Sequence, residues 1–368
     1  MGRTDYYVIF VWMKQAFSIF SFLVLWTVLC RPAHAQFFDD SQQIKYDTNY
    51  IKVYKDELTT RIYLSRKQNG LSVSEKLLQP GLKYKTNDNL LLGLGYTYSF
   101  LTINLGVKMP FINKDDDVYG ESKYLNLSLQ TLFRKYLFDF YFQWTRGYYV
   151  SKPEELVPIT VIGSAYPLRG DLRSNLVGFS FNYLFNSERF SYKASFQQNE
   201  FQKRSAGTPM AGAEGYWMLT MADSSIVPGT MAGISGLDET PFNQADLYNF
   251  GVNGGYAYTF VWDEHLFFSV SSTLGLSGGY QLIRDSRESY TCCDGLTAGL
   301  SNSTKIALGY NNNRYYVGVS YVRFAMSQFV AGHGDWITYS AGHIRLNLVK
   351  RFNLKRTIKI LRPDLWIL

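Results

Sequence analysis

"RKYLFDFYFQWTRGYY", residues 134–149, decides how this chain is read. Phe138, Phe140, Phe142 and Trp144 recur at every second position after Tyr136, and Leu137, Asp139, Tyr141, Gln143 and Thr145 sit between them. Successive side chains of a β-strand point to opposite faces. One face of such a strand is therefore lined with rings, and the other carries a carboxylate and an amide. The same period of two returns in "LYNFGVNGGYAYTFVW" (247–262), "NLVGFSFNYLF" (175–185), "RFSYKASFQQN" (189–199) and "YLNLSLQ" (124–130). Period two identifies strands.

In a soluble sandwich the wet face is rich in Lys and Glu. Here the polar face is mostly Gly, Ser, Thr, Asn and Gln, and the chain is 17% aromatic and only 18% charged, against about 25% charged in ordinary globular domains. These features point to an all-β, transmembrane, up-and-down antiparallel β-barrel, with bulky residues toward lipid and small polar residues toward a hydrated lumen. Closure of the barrel satisfies every backbone amide within the hydrocarbon.

Strands are expected near 57–66, 78–86, 89–109, 122–133, 136–147, 172–186, 189–199, 246–262, 264–281, 296–310, 314–327 and 337–350. That makes about twelve, within a range of roughly ten to fourteen, because residues 200–245 have room for another hairpin around "GYWMLTMA". The stretch 89–109 holds a change of apolar phase near Phe100–Leu101, which means either a bulge in one long strand or a tight turn between two. Taken as one strand, it leaves short and long connections alternating. Short turns are then periplasmic, long loops external, and both termini periplasmic.

Within residues 134–149 the rings face lipid and Asp139 faces the lumen, since a charge in hydrocarbon costs several kcal/mol. Lys193, Lys305 and Arg345 are the other charged lumen candidates. Grouped in one section of a pore they would favour anions; paired, they would fill it. Trp144, Tyr148, Tyr149 and Trp262 are candidates for the aromatic girdles.

The chain begins like an export signal. Ala16 to Leu29 is apolar, and Ala33-His34-Ala35 forms a cleavage site before Gln36. Residues 1–35 are thus expected to be a signal peptide, 36–56 a periplasmic segment, 57–352 the barrel and 353–368 a basic tail. The long n-region suggests that translation starts at Met13, a hypothesis that a peptide from residues 2–12 in N-terminal proteomics would refute. Processing removes three positive charges and one negative, so the net charge of +7 falls to +5. Neither that excess nor any motif suggests nucleic-acid binding. Cys292 and Cys293 are the mature chain's cysteines; adjacent in sequence, they supply no disulfide framework.

Candidate chemistry is sparse. His333 and Asp335, in the external "AGHGDW", are the residues for an alternative reading as an outer-membrane lipid-acting hydrolase. Asn113, Asp115 and Asp117 space their oxygens like half of a calcium loop, but the glycine and distal glutamate are out of register. No phosphate loop, H-E-x-x-H or paired C-x-x-C occurs, and no cofactor is expected. The expected partners are outer-membrane lipid and lipopolysaccharide, with the barrel-assembly machinery during insertion.

"YDTNYI" (46–51), "RIYLSRK" (61–67), "LGLGYTYSFLTINLGVKMP" (92–110), "RKYLFDFYFQWTRGYY" (134–149) and "FQKRSAGTPMAG" (201–212), in that order, resemble an uncharacterised group of Gram-negative outer-membrane barrels, the domain-of-unknown-function family 4421. The resemblance runs from about Tyr46 to near Phe352. It implies a surface barrel, exported to the outer membrane, and carries no activity and no functional residues with it. A passive solute channel and a structural or surface-interaction protein are both open on this evidence.

Overall fold

The computed structural model describes residues 46–54, 57–74, 81–98, 101–109, 112, 115–132, 134–153, 166–226, 242–285, 291–330 and 336–353. Among them are β1 (Ile51–Val53), β2 (Glu57–Ser74), β3 (Leu82–Lys85), β4 (Leu90–Tyr98), β5 (Leu101–Lys108), α1 (Asp116–Tyr119), β6 (Lys123–Leu132) and β7 (Tyr136–Val150). They continue with β8 (Leu168–Leu184), α2 (Tyr192–Phe196), β9 (Glu200–Gln202), β10 (Ala206–Met221), β11 (Phe242–Trp262), β12 (Leu266–Asp285), β13 (Thr291–Asn311), β14 (Tyr315–Phe329) and β15 (Trp336–Asn353).

The long strands pair antiparallel with their neighbours, and β15 returns to β2 from Trp336↔Ser74 to Asn353↔Glu57. The ring closes through β2, β3, β7, β8, β10, β11, β12, β13, β14 and β15, ten strands. β3 and β4 run end to end along β2, broken at residues 86–89. Below that break, β5 pairs with β4 and β6 with β7. Residues 89–109 are therefore a hairpin, with Tyr98 opposite Leu101, and not the single bulged strand expected. The phase change seen in the sequence falls where β4 gives way to β5.

Strands of up to 21 residues are longer than the roughly 9–11 needed to cross a bilayer, and the side chains show where the crossing lies. On β8, Val177 and Phe179 are exposed while Leu172 and Leu176 are fully buried. On β11, Phe250 and Val252 are 68% and 66% exposed while Ala245 and Leu247 are 0%. On β15, Ile344, Leu346 and Leu348 point out while Ile337, Tyr339 and Ala341 point in. The apolar phase flips part-way along each of these strands. The half nearest the short turns carries its apolar residues outward, as a belt for hydrocarbon. The half nearest the loops carries them inward, as a soluble protein does. The molecule is thus a membrane-spanning barrel that continues beyond the bilayer as a water-facing barrel with an apolar core.

In β7, Phe138 packs on Phe181 of β8 at 5.0 Å between ring centroids, and Phe140 lies opposite Phe179 on the outer face. Tyr148 departs from expectation. A bulge between Arg146 and Tyr148, at Gly147 with φ 85°, shifts the phase by one residue. Tyr148 turns inward, 2% exposed and bonded to Ser174, so it is not a girdle residue. Tyr149 stays outside against Tyr119 and Tyr166. Trp144 lies on the outer face between them and the belt, and Trp262 is 53% exposed at the turn end.

The expected strand at 189–199 does not form. β8 pairs directly with β10, Leu184 opposite Met210, and this leaves no edge for another strand. The chain between them folds into the barrel mouth instead. Ser191 caps α2 by accepting from the Ala194 amide at 3.1 Å, and Gln198 at φ 59° ends that turn. The aromatic alternation of Phe190, Tyr192 and Phe196 serves an interior, not lipid. Among the described residues, 200–245 hold the short β9, the wall strand β10 and the start of β11, and Cys292 and Cys293 lie within β13, Cys292 at a register shift.

Candidate functional site in the barrel interior

The interior has three layers. At the loop end it is an apolar core that includes Leu71, Tyr84, Leu172, Met218, Phe242 and Tyr339, all at most 2% exposed. Residues behind β10 fold down to cap it: the Tyr84 hydroxyl donates to the Ile226 carbonyl, and Arg169 Nη1 reaches the Ser225 and Ile226 carbonyls at 2.7 and 2.8 Å.

At the turn end, residues 186–205 form a plug. β9 pairs with β1, Ile51 opposite Gln202. Arg351 donates from Nε and Nη2 to the Gln198 carbonyl at 3.0 and 2.7 Å, and to Asn311 Oδ1 at 2.9 Å. Arg61 Nη2 reaches the Gln197 carbonyl at 2.8 Å, and Arg134 holds Glu200 with two bonds of 3.1 Å. Beside it Tyr54 lies under Arg351 at 4.4 Å, and burial pushes its phenol up to about 12, so it stays a neutral donor to the Asn312 carbonyl. Two small cavities flank this plug, each with room of about 10 Å³, one water's worth.

Between core and plug lies a charged layer. Asp139 and Lys305 meet at 2.9 Å across the interior, with side chains 10% and 7% exposed, and Gln130 donates to the other carboxylate oxygen at 2.6 Å. Glu214 accepts from Asn253 at 3.0 Å and from Ser301. Arg345 also faces inward and stacks on Tyr63 at 4.4 Å. Lys193 is not on a strand facing the lumen; it lies on α2, half-buried in the plug, because that segment left the wall. Asp139, Lys305 and Arg345 came from strand parity. Glu214, Arg61 and Arg351 were missed, although each sits in step with the inward residues of its strand.

The other candidates scatter. His333, Asp335 and Asn113 lie outside the described residues. Asp115 and Asp116 accept from Asn87 Nδ2 at 3.2 and 2.8 Å, tying α1 to the break between β3 and β4, while Asp117 is exposed. Among the described residues no three His, Cys, Asp or Glu gather as a metal site.

In the membrane half the wall has a seam. No ladder joins β5 to β6 among the described residues. Asn104 to Lys108 are exposed on both faces of β5.

The family model described as Domain of unknown function (DUF4421) matches residues 45–352. The chain belongs to that family. For DUF4421, the ten-strand ring up to Phe352, the plug and the seam fall inside the matched span. The chain matches no curated protein. Among solved structures it is similar to the outer membrane protease OmpT from Escherichia coli, at 10% identity over 82% of this chain and 98% of that one, TM-score 0.34. It is also similar to OmpT of Vibrio cholerae (9%, 80% and 98%, TM-score 0.27) and the toluene transporter TodX of Pseudomonas putida (8%, 81% and 90%, TM-score 0.25). At such scores the likeness carries nothing about activity or substrate.

Proposed function

We propose that this chain is an integral barrel of the bacterial outer membrane that acts as a structural element or through its loop-end surface, and not as a passive solute channel. The filled interior carries this reading. A solute following the barrel axis meets the apolar core, the Asp139–Lys305 layer and the plug in turn. The external part, a packed barrel with a polar outside, suits contact with partners or with lipopolysaccharide. The short turns and both described chain ends share one end of the barrel, which supports a periplasmic turn end. A lipid-acting hydrolase at His333 and Asp335 has no described geometry in its favour.

Epitope tags test the arrangement. A tag within 227–241 is expected to be labelled on intact cells, and one after Asn353 only once the outer membrane is permeabilised. The reverse pattern would remove the surface role.

A further inference from the structure

The membrane half of the interior is electrically unbalanced on one side. On the wall formed by β15 and β2, His343 lies opposite Lys67 and Arg345 opposite Ser65, with Arg61 further toward the plug. Arg345 lies within electrostatic reach of Arg61, Lys67 and His343, and His343 within reach of Lys67. None of them forms an ion pair among the described residues; the interior's Asp139 is taken by Lys305, and Glu200 by Arg134. Arg61 is 4% exposed, and its Nε, like that of Arg345, is buried without a hydrogen-bond partner. Gathering cations in a low-dielectric space without counter-charge costs several kcal/mol, and a buried donor left unpaired adds about 1–3 kcal/mol.

The same wall is shaped for access. A Cβ on Gly95 would lie 2.5 Å from Arg61 Cγ, and one on Gly93 would lie 2.1 Å from the Tyr63 ring. The two bare positions let Arg61 and Tyr63 lie flat against β4, and Arg345 stacks on Tyr63 in turn. Beside them the inward residues Asn104 and Lys108 of β5 are exposed at the seam. The outer lips of the seam are apolar: Leu105 and Val107 on β5, and Leu125 and Leu127 on β6.

We propose that Arg345, Lys67, His343 and Arg61 form a binding site for a phosphate group, entered sideways through the seam between β5 and β6. Guanidinium and ammonium groups around one space suit a multiply charged tetrahedral anion, which Arg engages with two parallel bonds. A basic floor behind apolar lips fits the phosphate of an amphiphile whose chains stay in the bilayer; inorganic phosphate shares the recognising chemistry. The site lies between core and plug and needs no axial passage.

The test uses the mature barrel in a non-ionic detergent, with thermal unfolding as readout. Inorganic phosphate is compared with chloride at equal ionic strength, and short-chain phosphatidic acid with short-chain phosphatidylcholine. A rise of several degrees with inorganic phosphate assigns a soluble anion. A rise with phosphatidic acid alone assigns a lipid phosphate, and a rise with both supports the site with the tighter ligand as its occupant. The variant Arg345→Gln/Lys67→Gln is expected to unfold at the same temperature as the parent or higher when ligand-free, and to bind at least about tenfold more weakly. Lys67→Gln alone gives the same comparison at lower risk to folding. No rise with either probe, or one that persists undiminished in both variants, would overturn the proposal.

Discussion

Lys305→Met is expected to destabilise the barrel by about 3–5 kcal/mol, because it leaves the Asp139 carboxylate buried with only Gln130 to bond it. Replacing one partner of a buried pair forfeits the attraction and keeps the desolvation cost of the other. Removing both charges is a different experiment. In Asp139→Asn/Lys305→Met the charge is gone from both sides, and the Gln130 amide keeps an oxygen to donate to. The double variant is therefore expected to recover most of the loss. Urea unfolding in detergent, run as a double-mutant cycle, measures this. Equal loss in the single and double variants would mean that the two side chains matter for packing rather than for charge.

Gly147→Val is the second large effect. Gly147 sits at φ 85°, a region that costs a residue with a Cβ about 1–3 kcal/mol. Its missing Cβ would also lie 2.3 Å from the Glu121 carbonyl oxygen, a backbone atom that cannot swing aside. Ser122, next in the chain, holds the spot as well, donating to the Gly147 carbonyl at 2.8 Å and accepting from the Asn87 amide at 2.8 Å. Without this bulge Tyr148 would point outward, and the Tyr148–Ser174 contact in the apolar core would be lost. In urea titrations followed by the heat-modifiable folded band on a gel, the folded-to-unfolded ratio at a given urea concentration is expected to fall more than about tenfold, the mark of a loss beyond ~1.4 kcal/mol. Gly147→Asn separates the causes. Asparagine tolerates the left-handed region but brings the same Cβ, so it should fail as well; a rescue by Asn would place the cost in φ alone.

Why one part of this molecule was legible in the sequence and another was not comes down to what alternation can say. Period two tells that a face exists, and residues 138–144 showed it: Phe138, Phe140, Phe142 and Trp144 out, Asp139 in, while the bulge at Gly147 that turns Tyr148 inward left no mark in the alternation. Alternation does not tell what covers a face. Phe190, Tyr192 and Phe196 alternate as cleanly as Phe138, Phe140 and Phe142, yet they fill the barrel mouth from within. The distinguishing signal was in the neighbours: the run Gln197-Gln198-Asn199-Glu200 is too polar for a strand leaving a bilayer, and each of these side chains is buried in the plug.

The phase flip was a signal of the same kind. Leu176 beside Val177 and Leu247 beside Tyr248 put two bulky residues in succession, which breaks alternation in a single strand. Each break marks where lipid ends outside and an apolar core begins inside. The charged layer followed from parity, since Asp139 and Lys305 each fell on the inward phase. Their contact, like the approach of Arg351 to the plug across 153 residues of sequence, depends on barrel closure, which no local pattern encodes.

The filled, membrane-spanning barrel is tested most directly by inserting the purified mature chain into planar bilayers and recording current at a fixed voltage. The trace is predicted to stay at the level of the protein-free membrane, without discrete steps, while insertion is verified by recovery of the protein in the bilayer fraction. Steady, ohmic steps of uniform size from inserted protein would contradict the account, because ions would then be passing through an interior that core, charged layer and plug block along its axis.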